Sequence, residues 1–179
     1  MNLGPSLGCK PLDTLRHVLS LDLLSGCAVE FGVASGTTTR LIADRMPTIG
    51  FDSFRGLPEW WRDGFGVGAF RDQYPRYLDN ITLVEGWFDQ TLPSWSPPEP
   101  VSLVHVDCDL YSSTSTVFEH VDRWLSAGVV VVFDEFHGWP MAGVIPGEAE
   151  AWDEYVERTG REWEPIGHGP EQFAVRLLS

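Results

Sequence analysis

Four apolar runs in this sequence each end on a carboxylate. Glu30 stands near the carboxyl end of Cys27–Phe31, Asp52 follows Thr48-Ile49-Gly50-Phe51, Asp107 follows Val101–Val106, and Asp134, with Glu135 beside it, follows Val129–Phe133. Ionised carboxylates do two jobs well: they accept hydrogen bonds from hydroxyl groups, and they supply the oxygen donors that hard divalent cations prefer. A lone acid at a strand end usually caps a helix or faces solvent, whereas acids delivered by four separate runs point to a shared site. Directly after the first run comes Gly32-Val33-Ala34-Ser35-Gly36-Thr37-Thr38-Thr39, a small-residue loop bracketed by glycines and leading into a threonine-rich helix start. Such a loop lets a ligand approach the backbone closely, and the free N–H groups of a helix start attract polar or anionic groups.

Spacing then sorts the ligands. A dinucleotide loop reads G-x-G-x-x-G, with an acid about 20 residues on that takes the ribose. Here the order is Glu-x-Gly-x-x-x-Gly, without the middle glycine, although Asp52 does lie 22 positions after Glu30. A P-loop is excluded because no Gly-Lys-Ser/Thr follows the loop.

The elements that must carry these residues alternate along the chain. Apolar spacing predicts helices over Pro11–Leu24, Thr37–Arg45, Ser112–Leu125 and Glu148–Arg158, the last with Ala149, Trp152, Tyr155 and Val156 inward. Strands are expected at Ala28–Phe31, Thr48–Phe51, Ile81–Val84, Val101–Val106 and Val129–Phe133, with a closing pair at Trp163–Ile166 and Phe173–Leu177. Such alternation predicts an α/β fold, a doubly wound and mostly parallel seven-stranded sheet with an antiparallel C-terminal strand. In an open sheet of this kind ligands bind at the carboxyl edge, where the acids end up. Ser53–Asn80 stands apart: glycines and prolines alternate with Trp60, Trp61, Phe65, Phe70, Tyr74 and Tyr77 without a period. That composition suits an ordered loop, either a lid over the site or a short helix and loop capping the sheet edge.

Bulk properties narrow the partners. The 179 residues fit one domain, 1–179, with its own core, and no linker or repeat interrupts them. A net charge of −14 argues against nucleic acid, whose phosphates would be repelled. Met1–Lys10 lacks the apolar core of a signal peptide, and the longest apolar run, Val129–Phe133, is far too short to span a membrane. Three scattered cysteines, Cys9, Cys27 and Cys108, fit a reducing compartment, so the expected location is the cytoplasm.

Glutamate, glycine loop and strand-end aspartate together resemble the S-adenosylmethionine site of class I methyltransferases. Phe51-Asp52-Ser53-Phe54-Arg55-Gly56-Leu57-Pro58-Glu59, Glu85-Gly86-Trp87-Phe88-Asp89-Gln90-Thr91-Leu92-Pro93 and His105-Val106-Asp107-Cys108-Asp109-Leu110-Tyr111-Ser112-Ser113-Thr114 narrow the likeness. In order and spacing they resemble the macrocin-type (TylF/MycF-like) sugar O-methyltransferases, from about Val29 to Trp139. Asp134-Glu135 departs from the paired aspartates common in that group after the fifth strand.

The resemblance implies that Glu30, Gly32, Ala34, Ser35, Gly36 and Thr37 hold the cofactor, with the Gly32–Gly36 backbone on its methionine head. It places the ribose on Asp52 with Ser53, and the adenine among Gly86, Trp87 and Phe88. Asp107 and Tyr111 complete the implied set. A divalent cation, Mg²⁺ first, is expected on Asp107, Asp134 and Glu135, with Asp109 as a substitute ligand. Asp107 and His137 are the catalytic candidates, His137 as general base, whereas His105 reads as a buried, satisfied residue. The implied acceptor is a hydroxyl of a small molecule, a sugar or natural product, and a homodimer is a candidate assembly. Transfer to nitrogen or carbon on the same fold and a nucleotide-binding module without chemistry are the rival readings.

Overall fold

β-Branched and apolar runs bounded by glycine and proline fold as strands, and seven of them pair into one sheet. They are β1 (Cys27–Phe31), β2 (Thr48–Asp52), β3 (Ile81–Glu85), β4 (Val101–Val106), β5 (Val130–Phe133), β6 (Trp163–His168) and β7 (Phe173–Leu177). A computed structural model describes residues 2–76, 79–136 and 147–179 and orders the sheet β3-β2-β1-β4-β5-β7-β6. The five strands from β3 to β5 run parallel, and β7 alone opposes them, pairing antiparallel with both β5 and β6. This is the doubly wound, Rossmann-like sheet that the alternating pattern predicts.

Strand alternation gives the sheet two buried faces. On one, Val29, Phe31, Val131 and Phe133 pack with Phe118 of α4 (Tyr111–Val121) and with Trp152 and Tyr155 of α5 (Gly147–Thr159). On the other, Ala28, Leu103, Val130 and Val132 pack with Leu15, Val18 and Leu19 of α1 (Asp13–Ser20) and with Ile42 of α2 (Thr37–Ala43). Being covered on both faces, β1, β4 and β5 are buried along their whole length, which explains their nearly continuous apolar runs.

The helices differ from expectation at their ends: α2 stops at Ala43 and α4 at Val121, ahead of the expected Arg45 and Leu125. α1 starts at Asp13 because Leu12 takes a left-handed backbone (φ 69°), and it stops at Ser20. A further one-turn helix, α3 (Phe88–Thr91), follows β3 and is too short to leave a period in the sequence. Ser53–Arg76 contains no helix; its one ladder contact is a bridge between Arg62 and Phe65.

The tightest spot in the sheet lies just past β1. Gly32 has φ 93°, and a Cβ built on it would sit 1.7 Å from the carbonyl oxygen of Asp107. Gly160 has a comparable φ of 69° but open space around it. Gly160→Ala should therefore cost only the left-handed strain, roughly 1–2 kcal/mol. Gly32→Ala must also push β1 and β4 apart and should cost more than about 4 kcal/mol. Urea denaturation of the two variants checks this, and equal midpoints would mean the close approach does not exist in solution.

Candidate active site

Register brings the strand-end residues together. Phe31 pairs with Phe51 on one side and Val106 on the other, and Val106 pairs with Phe133. One step further along each strand, Asp52, Gly32, Asp107 and Asp134 therefore form a single row. The ladder continues through that row: Gly32 N–H donates to Phe51 O, Asp107 N–H to Phe31 O and Asp134 N–H to Val106 O, each at 2.9 Å.

Asp52 builds the glycine loop. Its Oδ2 accepts the N–H groups of Val33 (2.9 Å) and Ala34 (2.8 Å), while Oδ1 accepts Phe54 N–H at 2.8 Å. A carboxylate offers about four acceptor positions, so room remains for one further donor. At the far end of the loop, Gly36 lies under Pro75, whose Cβ would be 2.6 Å from a Cβ at that position. The glycine-aromatic segment thus rests on the loop directly.

Above the row is a cavity of about 590 Å³. Its walls include Gly32, Ala34, Asp52 and Ser53 from the loop region, Gly86, Trp87 and Phe88 from the β3–α3 junction, and Asp107 and Glu135 from the rim. Leu57, Pro58, Trp61, Phe65 and Phe70 roof it. The roof is a stack of rings, Trp61 against Phe65 (5.4 Å) and Phe65 against Phe70 (5.3 Å), with the Arg62 guanidinium 3.7 Å over Trp61. Two polar contacts fasten it: Ser112 Oγ donates to Glu59 at 2.6 Å, and Arg62 pairs with Glu171 at 3.3 Å. Of the tryptophans assigned to a lid, Trp60 is exposed and Trp61 is part of this ring stack.

Several expected site residues lie elsewhere. Ser35 and Thr37 are exposed and face each other at 3.2 Å, and Tyr111 OH donates to Glu154 at 2.5 Å on the surface. Gly36 is taken up by Pro75, as above. Glu30 is fully buried, its Oε1 3.0 Å from His105 Nδ1, so both sit beneath the cavity rather than in it. His137 lies outside the described residues.

The acids are crowded. One ligand atom from each of Asp107, Asp134 and Glu135 falls within 4.8 Å of the others, and the same holds for Glu30, His105 and Asp107. Burial, then the charges of Asp134, Asp109, Glu30 and Glu148, pushes the Asp107 carboxyl well above the usual range. Burial does the same to Glu135, reinforced by Asp107, Glu148, Asp134 and Asp109. Asp109, held in a left-handed turn (φ 64°), is pushed up to about 7 by burial, with Arg62 pulling it down and Asp134 pushing it up. Glu135 Oε2 is buried without a hydrogen-bond partner. An uncompensated buried carboxylate oxygen beside two further acids is the donor set of a hard divalent cation, which would neutralise their repulsion. The residues fit such an ion.

Sequence reasoning missed two residues here. Glu148, fully buried at the start of α5, accepts Cys108 N–H (3.3 Å) and Glu135 N–H (3.1 Å), tying the ends of β4 and β5 together. It lies on the same stripe as the inward-facing Trp152 and Tyr155, a signal that was readable. Gln172 donates its amide to Asp134 Oδ1.

A family model described as a methyltransferase domain matches residues 29–136. The calicheamicin methyltransferase CalS11 has a similar structure, with TM-score 0.63 and 24% identity over 90% of this chain and 75% of its own. The O-methyltransferase NovP gives 0.65 and 22% over 94% and 76%. The SAH-bound Podospora anserina methyltransferase PaMTH1 gives 0.54 and 16% over 86% and 72%. At these identities the likeness is one of fold. No curated protein matches the sequence. No helix among the described residues is long and apolar enough to cross a membrane.

The acid cluster makes stability depend on pH. Asp109 binds a proton in the native state up to about pH 7 but releases it near its ordinary value of 3.8 when unfolded. Its stabilising contribution is complete below about pH 4 and is lost as pH rises through about 7. Asp107, Glu135 and Glu148, also raised by burial, act in the same direction. In chelator the melting temperature should fall between about pH 5 and pH 8, and added Mg²⁺ should recover most of the loss at the upper end. A melting temperature that rises across this window would show that the acids are solvated.

Proposed function

We propose a function from one premise, that this chain belongs to the methyltransferase domain family. Its fold is that of the class I S-adenosylmethionine-dependent enzymes, and the finer reading is an O-methyltransferase of the macrocin type acting on a hydroxylated small molecule. The observation that carries it is the row in which Asp52, Gly32 and Asp107 line one cavity and Asp134 follows next in register. NovP is described as an O-methyltransferase and CalS11 as a TDP-rhamnose 3'-O-methyltransferase, which favours oxygen as the acceptor atom and a sugar as its carrier. Residues 1–179 act in this reading as one catalytic domain, without nucleic acid or membrane, and a second copy is the assembly to test.

In this reading the carbonyls of Gly32 and Ala34 accept from the amino group of the methionine head, since the N–H groups of Gly32, Val33 and Ala34 are already taken by Phe51 and Asp52. Asp52 serves two ends at once, fixing the loop through Val33 and Ala34 and accepting a ribose hydroxyl with its remaining lone pair. Trp87 and Phe88 offer ring surface to the adenine. Asp107, Asp134 and Glu135 would hold a divalent cation, which when bound lowers the pKa of an oxygen it touches. Asp109 lines the cavity, and with its carboxyl near neutrality it can take up the hydroxyl proton. His105, sealed under Glu30, is not exposed to an acceptor. The aromatic roof excludes water and offers the acceptor an apolar face.

Calorimetry with S-adenosylhomocysteine should give at least about tenfold weaker binding for Asp52→Asn, because the amide presents donors toward N–H groups that need acceptors. Equal affinity would remove Asp52 from the cofactor site. For the transfer itself, labelled S-adenosylmethionine and a panel of hydroxylated acceptors should show activity that EDTA abolishes and Mg²⁺ restores, and Asp134→Asn should lose at least about a hundredfold. Full activity in EDTA with an unchanged Asp134→Asn rate would leave proton transfer to Asp109, or to His137, as the activating step.

A further inference from the structure

The antiparallel strand reaches the rim from the opposite direction. β7 pairs with β5 so that Phe173 lies opposite Phe133 and Ala174 opposite Val132. Carried one step further, that register sets Gln172, the residue entering β7, opposite Asp134, the residue leaving β5. The site row therefore extends from Asp107 and Asp134 to Gln172, on the sheet face covered by α1 and α2.

Gln172 is 3% exposed and both ends of its amide are engaged. Leu15 N–H, in the first turn of α1, donates to Oε1 at 3.3 Å. A backbone N–H can only donate, so this bond fixes which end of the amide is oxygen and turns Nε2 toward Asp134. Nε2 donates to Asp134 Oδ1. The same oxygen is 3.8 Å from His105 Nε2, a buried atom without a hydrogen-bond partner. Asp134 is thus gripped through one oxygen by a neutral donor whose own orientation is locked by α1.

We infer that Gln172 is the positioning residue of the cation site, holding the Asp134 carboxylate in the rotamer that serves Asp107 and Glu135. The role rests on the divalent-cation reading given above. Its chemistry is particular to an amide. A donor on Oδ1 removes the torsional freedom of Asp134 without competing for the ion, whereas a second carboxylate there would repel it or draw the ion away. Gln172 does not line the cavity, so its effect on binding should be confined to the cation.

Titration with Mn²⁺, followed by the electron paramagnetic resonance of the free ion with S-adenosylhomocysteine present, tests this. Gln172→Glu keeps an acceptor for Leu15 N–H and, once ionised, deletes the donor to Asp134. Gln172→Met removes the donor without adding charge, and carries the same test should the first variant not fold. Both should bind Mn²⁺ about 10- to 100-fold more weakly than the wild type, the usual loss when a ligand's supporting hydrogen bond goes. Affinity for S-adenosylhomocysteine should stay within about twofold. Wild-type Mn²⁺ affinity in both variants overturns the positioning role while leaving the cation site intact. A wild-type protein that binds no Mn²⁺ overturns the cation reading and this role with it. Parallel losses of Mn²⁺ and S-adenosylhomocysteine would mean Gln172 supports the sheet edge as a whole, which also overturns the inference.

Discussion

Hydrogen-bonded strands lie about 4.8 Å apart, and that spacing governs this site. Five residues from five strands or strand ends, Asp52, Gly32, Asp107, Asp134 and Gln172, are set side by side by register alone. At one member of the row the spacing admits no side chain: Gly32 leaves room for the Asp107 carbonyl. Close approach of β1 and β4 places the first acid of the rim beside the cofactor loop. The glycine that looks like a ligand-binding device is first a packing device, and the loop it opens is then pinned by Asp52.

The same arrangement concentrates negative charge. Asp107, Asp109, Asp134, Glu135 and Glu148 converge where the carboxyl ends of β4 and β5 meet the start of α5, and burial raises most of them. Proteins rarely bury acids without partners. Here two kinds of partner divide the work. Neutral donors, the N–H groups of Cys108 and Glu135 for Glu148 and the amide of Gln172 for Asp134, fix geometry without cancelling charge. The remaining charge is left for protons or a cation.

Much of this was legible in the sequence. Val101–Val106 and the run ending at Phe133 announced buried parallel strands, and acids closing such runs had to share the carboxyl edge. Strand order and register were not legible, since an apolar run carries no mark of its neighbour. Glu148 was hidden by reading α5 only for its apolar stripe, and Gln172 by treating β6 and β7 as a simple closing pair. Tyr111, Ser35 and Thr37 show the opposite limit: a motif keeps residues in order, but the local backbone, loop at Ser35 and first helical turn at Thr37 and Tyr111, decides which of them turns toward the cavity. The resemblance places Glu30 at the cofactor, but its buried partner, His105, comes from a different strand, and no strand's own sequence announces that pairing.

The order of β7 and β6 in the sheet has a consequence for how the chain is made. β6 precedes β7 in sequence, yet β7 sits between β5 and β6. During vectorial synthesis the outer edge of β5 stays unpaired until residue 177 has emerged, and β6 has no sheet to join before then. An open edge of three valines and a phenylalanine is a surface on which chains associate wrongly. The polypeptide therefore carries this aggregation hazard until β7 has paired, and the strand that removes the hazard is also the one that delivers Gln172 to the rim.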